Sequence, residues 1–502
     1  MNRREFLSVA ASLPVMAKTP QRRTAGRQQP ADEIGWMTAT DLARALRTGA
    51  VSAVEVMEAC LARIKRVNPA VNAICTLVDE DVLLRQARDA DARLKKSARV
   101  GPLHGFPHAV KDLVPTAGIR TTYGSRIYQD NIPTEDALIV ERIKAAGAII
   151  IGKTNTPEFG AGSQTFNAVF GATRNPYDLT RTCGGSTGGG AVAVACGMTP
   201  LADGSDHGGS LRNPPSFCNV VGFRPSFGRV PAWPKSQPWT SMSVDGPVGR
   251  SVGDVALLLS AVAGPDPRSP VAIDESGTVF GGPLTRDFKG TRVAWSRNLG
   301  RYPVEPIVNQ VCDSARHVFA DIGCRVEDGE PDFSDADETF QTLRAWSFAQ
   351  ERGEDLRRHR DLMKDTVIWN IELGQRLTGL DVSRAEATRA ALVRRVATFL
   401  ERYEFLVLPV SQVAPFPVEV EWVKAINGVE MATYIDWMGT CYAISLTGLP
   451  AISVPCGFTP DGLPIGLQIV GRHHRDLDVL KLAHAFEEAT QIGRRRPAVV
   501  GA

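Results

Sequence analysis

Nine cysteines are scattered through 502 residues without a single CxxC pair. That spacing excludes a zinc-binding knuckle and gives no disulfide framework. Cys60, Cys75, Cys183, Cys196, Cys218, Cys312, Cys324, Cys441 and Cys456 mostly sit in apolar company, so each is read as a small buried hydrophobe. An excess of one charge is also missing: 57 basic and 55 acidic residues are spread along the chain and leave a net charge of +2. No field is concentrated enough to make nucleic acid or an anionic membrane the main partner. The first apolar stretch, Phe6 to Met16, is too short to span a bilayer, so stable membrane insertion is not expected either. What remains is a long chain, 43% hydrophobic and 22% charged, able to build a large core with more than one lobe. The expectation is a globular enzyme acting on a small molecule; a homodimer is compatible with the sequence but not fixed by it.

The chain opens "MNRREFLSVAASLPVMA", with the pair Arg3-Arg4, the apolar stretch, and a small-residue ending at Val15-Met16-Ala17. This pattern reads as a twin-arginine export signal over 1–17. A polar linker over 18–35 and a folded domain over 36–495 follow. The implied location is the periplasm, after folding in the cytoplasm, which suits unpaired cysteines. Without a working signal the protein would stay cytoplasmic.

Periodicity then places the elements. Helices are expected over 39–48, ending at Gly49, and over 53–67, where Ser52 and Glu55 form a capping box and Asn68-Pro69 is the stop. A charged amphipathic helix covers 80–96. Short β-branched runs at 107–114 and 148–153 read as strands flanking a helix from Glu135 to Ala146. The alternation continues with helices at 251–263 and 306–321 and strands at 291–296 and 324–328. These features imply an α/β fold with a mixed sheet. Residues 335–402 read as a helical, cap-like region, 405–410 as a strand, 450–471 as a hairpin turning at Pro460-Asp461-Gly462, and 476–489 as a closing helix.

The segment richest in glycine is "GGSTGGGAVAVACGMTPLADGSDHGGSLR", residues 184–212. A phosphate loop is one reading, but there is no GxxxxGK[ST] and no dinucleotide fingerprint. A second reading takes Gly184-Gly185-Ser186-Thr187-Gly188 as the GxSxG elbow of a serine esterase. That elbow needs a strand immediately before it, and "NPYDLTRTC" (175–183) makes a poor one. It also needs an Asp and then a histidine downstream in suitable positions; His473, His474 and His484 follow, but in a polar turn and on a terminal helix. Cys183, three residues before Ser186, has no activating partner in the sequence and is not read as a nucleophile. A third reading uses Lys111, a polar residue in the apolar run "AVKDLV", where desolvation favours the neutral amine. An ordinary lysine is neutral in about one molecule in two thousand at pH 7, and lowering its pKa by roughly three units costs about 4 kcal/mol. Only a buried, preorganised site sustains that.

Taken together, "GGSTGGGAVAVACG", "LADGSDHGGSLRNPPSFCNVVGFRPSFGRV" and Val110-Lys111-Asp112 resemble the amidase signature family, whose signature block runs GGSSGG, GSDxGGSIR and P(S/A)xxCGVVGxKP(T/S)xGR after an upstream VKD. The separations agree as well, 75 residues from Lys111 to Ser186 and 24 from Ser186 to Ser210. The likeness extends over about 36–490, including "LTGLPAISVPCGF" and "GLPIGLQIVGR". It implies the amidase signature fold, a central mixed β-sheet surrounded by helices. It also implies hydrolysis of a small-molecule carboxamide through a serine acyl-enzyme, with no metal and no organic cofactor. Ser210 corresponds to the nucleophile, Ser186 to the bridging serine that follows a cis peptide, and Lys111 to the general base.

Backbone N–H groups of His207, Gly208, Gly209 and Ser210 correspond to the oxyanion hole, and Asp206, Arg212 and Thr187 are read as supports of the loop. Two positions depart from the usual pattern: Thr187 stands where many members have a second serine, and His207 where Thr or Ile is usual. Thr187 keeps a hydroxyl. His207 is read as non-catalytic, because its place in the motif tolerates residues that cannot ionise. Tyr123, Trp437 and Met438 are the candidate pocket residues, with room for an aryl or aliphatic acyl group. Within the family, the glutaminase subunit of a tRNA-dependent amidotransferase is the main alternative, and an export signal would argue against it.

Overall fold

The computed structural model describes residues 31–96 and 99–501. The stretch read as an export signal, 1–17, lies outside the described residues. The fold starts earlier than the sequence suggested. Ala31–Trp36 is a helix, with Ile34 buried and Asp32 paired to Arg63 at 2.8 Å and Arg66 at 3.1 Å. Residues 31–35 therefore belong to the folded body and not to a linker over 18–35: Ile34 has apolar surface to bury, and the buried guanidinium of Arg63 needs a counter-charge.

The helix Ala39–Thr48 buries Leu42 and Leu46 and ends on Gly49 in the left-handed conformation. The next helix begins at the reciprocal Ser52–Glu55 capping box but does not stop before Asn68-Pro69; it spans Ala53–Val71. Proline this close to a C-terminus forfeits a single helical hydrogen bond. Asn68 compensates by holding the exit: its Oδ1 accepts from Ala73 and Ile74 N–H at 2.9 Å each, and its Nδ2 donates to the Ile74 carbonyl at 2.9 Å.

A small sheet follows, with β1 (Ile74–Leu77) antiparallel and β2 (Pro107–Lys111) parallel to the central β3 (Ile149–Thr154). Every residue of β2 is buried. The strand ends at Lys111 rather than at residue 114, because Val114 N–H turns back onto the Lys111 carbonyl at 3.0 Å. Between β2 and β3 the helix is shorter than expected, Leu138–Ala145. A two-residue ribbon, β4 (Phe166–Asn167) and β5 (Gly171–Ala172), precedes the wholly buried helix Gly188–Ala195.

The large sheet has eight strands. They are β6 (Leu201–Asp206), β7 (Val221–Arg224), β8 (Val244–Gly249), β9 (Arg292–Trp295), β10 (Arg325–Asp328), β11 (Phe405–Pro409) and, after a second ribbon of β12 (Ala425–Ile426) and β13 (Val429–Glu430), β14 (Ala451–Phe458) and β15 (Pro464–Gly471). Their order is β10-β9-β11-β15-β14-β7-β8-β6. The β10–β9 and β9–β11 pairs are parallel and the rest antiparallel, a mixed sheet. The β14–β15 hairpin closes through Gly462 N–H to the Thr459 carbonyl. Strand periodicity divides the core. Phe405, Val407, Ile452, Val454, Leu467 and Ile469 pack with Val252–Val262, Pro306–Asp321 and Asp476–Thr490. Leu406, Leu408, Ala451 and Val470 face the other side, with Ala336–His359, Gly379–Arg402 and Gly439–Thr447. The 335–402 region thus resolves into three helices, the middle one Asp365–Gln375.

The Gly188–Ala195 helix touches backbone on both sides. A Cβ on Gly189 would stand 2.3 Å from the Asn155 nitrogen and 2.6 Å from the Ala73 carbonyl oxygen. Neither atom can yield without moving a strand end. Gly189→Ala is expected to lower the unfolding free energy by about 2–3 kcal/mol or more, read from urea denaturation. A loss within about 0.5 kcal/mol, the range of ordinary surface substitutions, would mean the contact relaxes freely.

Candidate active site

Lys111 stands where the two sheets meet. Its side chain is fully buried, and its Nζ lies 2.9 Å from Ser186 Oγ, 2.9 Å from Thr187 Oγ1 and 3.1 Å from Ser205 Oγ. Burial pulls its pKa down to about 7, with the carboxylates of Asp203, Asp245 and Asp206 opposing the shift. Thr187 is more than a loop support, since it contacts the amine directly. Ser205 was given no role on sequence grounds. It lies two residues beyond Asp203 on β6, and the strand carries it to the lysine.

Ser186 follows a cis Gly185–Ser186 peptide. Three hydroxyls hold the carbonyls around it: Thr165 donates to Gly184 O at 2.8 Å, Ser163 to Gly185 O at 2.8 Å and Thr156 to Ser186 O at 3.0 Å. These partners lie 19 to 30 residues upstream, in loops with no motif of their own. Residues 175–183 contain no strand, only isolated bridges of Arg174 to Thr182 and Arg181 to Pro417. The strand-turn-helix of a GxSxG elbow is therefore not built around Ser186. Cys183, beside it, is buried, and desolvation raises its thiol to about 12, which leaves it inert.

The loop from Asp206 to Arg212 is shaped by one carboxylate. Asp206 accepts from Gly209 N–H at 2.9 Å and Leu211 N–H at 3.1 Å. It pairs with Arg212 at 3.0 Å and Arg224 at 3.0 Å, all three side chains being wholly buried. Arg212 also donates to Cys441 O, Gln468 Oε1 and Ser445 Oγ, and Arg224 to Met242 O and Ser445 O. Burial opposes the Asp206 charge, yet the two guanidiniums hold its carboxyl well below the usual range. Burial brings Arg224 down to about 10. One carboxylate against two guanidiniums leaves a positive charge behind the loop. Arg224 had no role assigned on sequence grounds, although it lies within the signature block.

The same bonds correct the expected oxyanion hole. Gly209, at φ +128°, directs its N–H to Asp206. The N–H groups of His207, Gly208 and Ser210 have no acceptor among the described residues and are the ones left for a ligand.

A cavity of about 600 Å³ opens over these groups and is lined by Ser186, Ser205, His207, Gly208 and Ser210. Its far wall comes from the helix Ala336–His359, through Phe340, Leu343 and Phe348, with the segment 232–236 and 240–243 closing another side. That segment carried no recognisable signal in the sequence. Tyr123 and Met438 line the cavity, but Trp437 does not. Trp437 is 1% exposed and packs edge-on against Phe416 at 5.2 Å, because consecutive residues of the turn Asp436–Met438 point in different directions. His207 is the one histidine on the lining; its ring packs edge-on against Phe340 at 5.6 Å, and burial pushes its pKa well below the usual value. It is held neutral. The rings of His473 and His474 lie 4.1 Å apart, tilted by 33°, and His484 faces Glu487, all off the cavity lining.

Removing Asp206 would leave two buried guanidiniums facing each other without a counter-charge. Asp206→Ala is expected to cost about 3–5 kcal/mol of stability, seen as a lower urea midpoint together with loss of activity. An unchanged midpoint would show that the network contributes nothing to stability.

The chain matches the family model described as Amidase over residues 55–480. It is 37% identical over 471 residues to an acylamidase of Rhodococcus erythropolis, covering 92% of this chain and 97% of that one. It is 33% identical over 494 residues to a glutamyl-tRNA(Gln) amidotransferase subunit of Chloroflexus aurantiacus (strain ATCC 29366 / DSM 635 / J-10-fl), covering 93% and 99%. Among solved structures, a bacterial aryl acylamidase of the amidase signature family superimposes with a TM-score of 0.85 at 28% identity, covering 93% of this chain and 100% of that one. A 6-aminohexanoate cyclic dimer hydrolase gives 0.84 at 27%, with 93% and 99% covered. With the family model spanning most of the chain and these relatives covered almost end to end, the chain belongs to the amidase signature family and is an amide-hydrolysing enzyme.

Proposed function

We propose that this protein is an acylamidase that cleaves a small-molecule carboxamide to a carboxylate and an amine or ammonia, with Ser210 as nucleophile, Ser186 as proton relay and Lys111 as base. The observation that carries the reading is a buried lysine amine 2.9 Å from Ser186 Oγ, with Ser186 and Ser210 both lining one cavity. Neutral Lys111 takes the Ser186 hydroxyl proton as Ser186 takes that of Ser210, whose Oγ attacks the amide carbonyl. The oxyanion is met by N–H groups of His207, Gly208 and Ser210, with the positive charge of the Asp206–Arg212–Arg224 cluster behind them. The proton returns through Ser186 to the leaving nitrogen, which is too basic to depart unprotonated. Water then repeats the cycle on the acyl-enzyme. The aromatic wall of Tyr123, Phe340 and Phe348 favours an aryl or extended aliphatic group over a small polar one. The relatives named as amidotransferase subunits keep glutamine as a second candidate substrate. Activity in the periplasm follows from the twin-arginine reading of residues 1–17. Replacing Arg3 and Arg4 by lysine should then leave the enzyme in the cytoplasmic fraction.

Fluorophosphonate labelling followed by intact mass tests the assignments. A single adduct is expected, absent in Ser210→Ala and formed about 10²–10⁴ times more slowly in Ser186→Ala and Lys111→Ala. An adduct that persists in Ser210→Ala and disappears in Ser186→Ala would sink the reading. Faster turnover of glutamine than of any acyl anilide would favour the amidotransferase alternative.

The lysine also sets a pH limit. Its working form is the neutral amine, so kcat/KM for an anilide should fall as pH drops through about 7 and level off above it. A flat profile from pH 5 to 9 would remove Lys111 from the role of base.

A further inference from the structure

Beneath Lys111 lie two ionisable groups that the relay does not use. Asp203, in the middle of β6, is wholly buried, and His108 of β2 is 1% exposed. His108 Nε2 is 3.0 Å from Asp203 Oδ1. The backbone N–H of Lys111 donates to both carboxylate oxygens, at 3.2 and 3.3 Å. Asp203 therefore ties the end of the small sheet to the edge strand of the large one at the residue that carries the amine. Neither residue lines the cavity.

We propose that Asp203, held in place by His108, is a positioning residue that fixes the Lys111 main chain and governs how tightly the lysine amine holds its proton. The proposal rests on the reading of Lys111 as the base. A pair of hydrocarbon side chains would join two sheets without the cost of burying a carboxylate. A carboxylate bonded to the main-chain N–H of the lysine does something they could not: its negative charge favours the ammonium form and so opposes desolvation.

The other charges around the amine are differently placed. Asp206 is neutralised by Arg212 and Arg224. Asp245 on β8 lies opposite Ser205 in the strand register and shares its surroundings with Lys235, whose Nζ donates to Thr240 O. Lys153 on β3 donates to Val114 O and Thr116 Oγ1, and Asp112 is held by Thr122. Asp203 has no guanidinium or ammonium within ion-pairing distance among the described residues, only His108 and the Lys111 amide. Of the carboxylates acting on Lys111 it exerts the largest influence.

The test is the pH profile of serine phosphonylation by a fluorophosphonate, which needs no knowledge of the substrate. Asp203→Asn retains a carbonyl to accept the Lys111 N–H and removes the charge. The acid limb, expected near pH 7 in the wild type, should move to lower pH by about one unit, the low end of what a nearby opposite charge exerts on a titrating group. At pH 6 the variant should then reach about five times the wild-type fraction of its own plateau. A purely structural role would lower the plateau and leave the midpoint in place; that result, or an upward shift, overturns the proposal. Should Asp203→Asn fail to fold, the double variant H108V/D203L replaces the pair by hydrocarbon and should shift the limb in the same direction. Lys111→Ala separates the two claims. If phosphonylation slows there by about 10²–10⁴-fold while Asp203→Asn leaves the midpoint fixed, the base reading stands and this inference fails. If its rate is unchanged in Lys111→Ala, both fail.

Discussion

The burial of one lysine amine is the constraint from which the site follows. Burial disfavours the ammonium form and brings the pKa down to about 7, and the base role proposed for the amine depends on water being kept from it. Three hydroxyls, from Ser186, Thr187 and Ser205, supply its hydrogen-bond partners without supplying charge. Sealing the amine requires a wholly buried strand that ends at residue 111 and an edge strand of a second sheet beside it. The small sheet, which would otherwise look like an appendage, is what delivers Lys111 to β6.

A second buried charge cluster works in the opposite sense. At Lys111 desolvation outweighs the carboxylates that oppose it and brings the pKa down to about 7; at Asp206 it is overcome by two guanidiniums so that the charges persist. The persistent cluster occupies the backbone of the Asp206–Arg212 loop selectively, taking the N–H groups of Gly209 and Leu211 and leaving those of His207, Gly208 and Ser210 turned elsewhere. Donors fixed in this way need no reorganisation when an oxyanion forms, and the unbalanced positive charge lies behind them. The glycine at 209 is required by its positive φ and by the Cys441 side chain, 2.7 Å from where a Cβ would be.

Much of this was legible in the sequence where chemistry and periodicity act locally. The Ser52–Glu55 box, the helix Pro306–Asp321 and the β14–β15 hairpin follow from neighbouring residues and appear within a residue or two of where periodicity puts them. Proline at 69 misled because its cost depends on where in the helix it falls, and because Asn68 repairs the exit in three dimensions. Strands β6, β7 and β8 were missed: glycines and prolines in "LADGSD" and "VDGPVG" suit an interior packed against loops and hide the β-branched signature. In the site, Lys111, Ser186 and Ser210 could be named from their motifs. Ser205, Arg224 and the hydroxyls on the 184–186 carbonyls could not, since each acts through a contact between segments far apart in the chain. Trp437 failed as a pocket residue because adjacent residues in a turn face different ways, which composition does not encode.

The division between reacting groups and walls bears on how such an enzyme acquires a substrate. Lys111, Ser186, Ser210 and the Asp206 cluster lie on strands and in the turns beside them and beside a wholly buried helix, where a Cβ on Gly189 or Gly209 already meets a neighbour below 3 Å. Change there is opposed by close packing. Phe340, Leu343 and Phe348 instead project from one helix of a three-helix layer laid over the sheet, and the 232–243 segment is a loop. Their backbones make none of the contacts that hold the amine, so the shape of the cavity can vary while those contacts stay fixed.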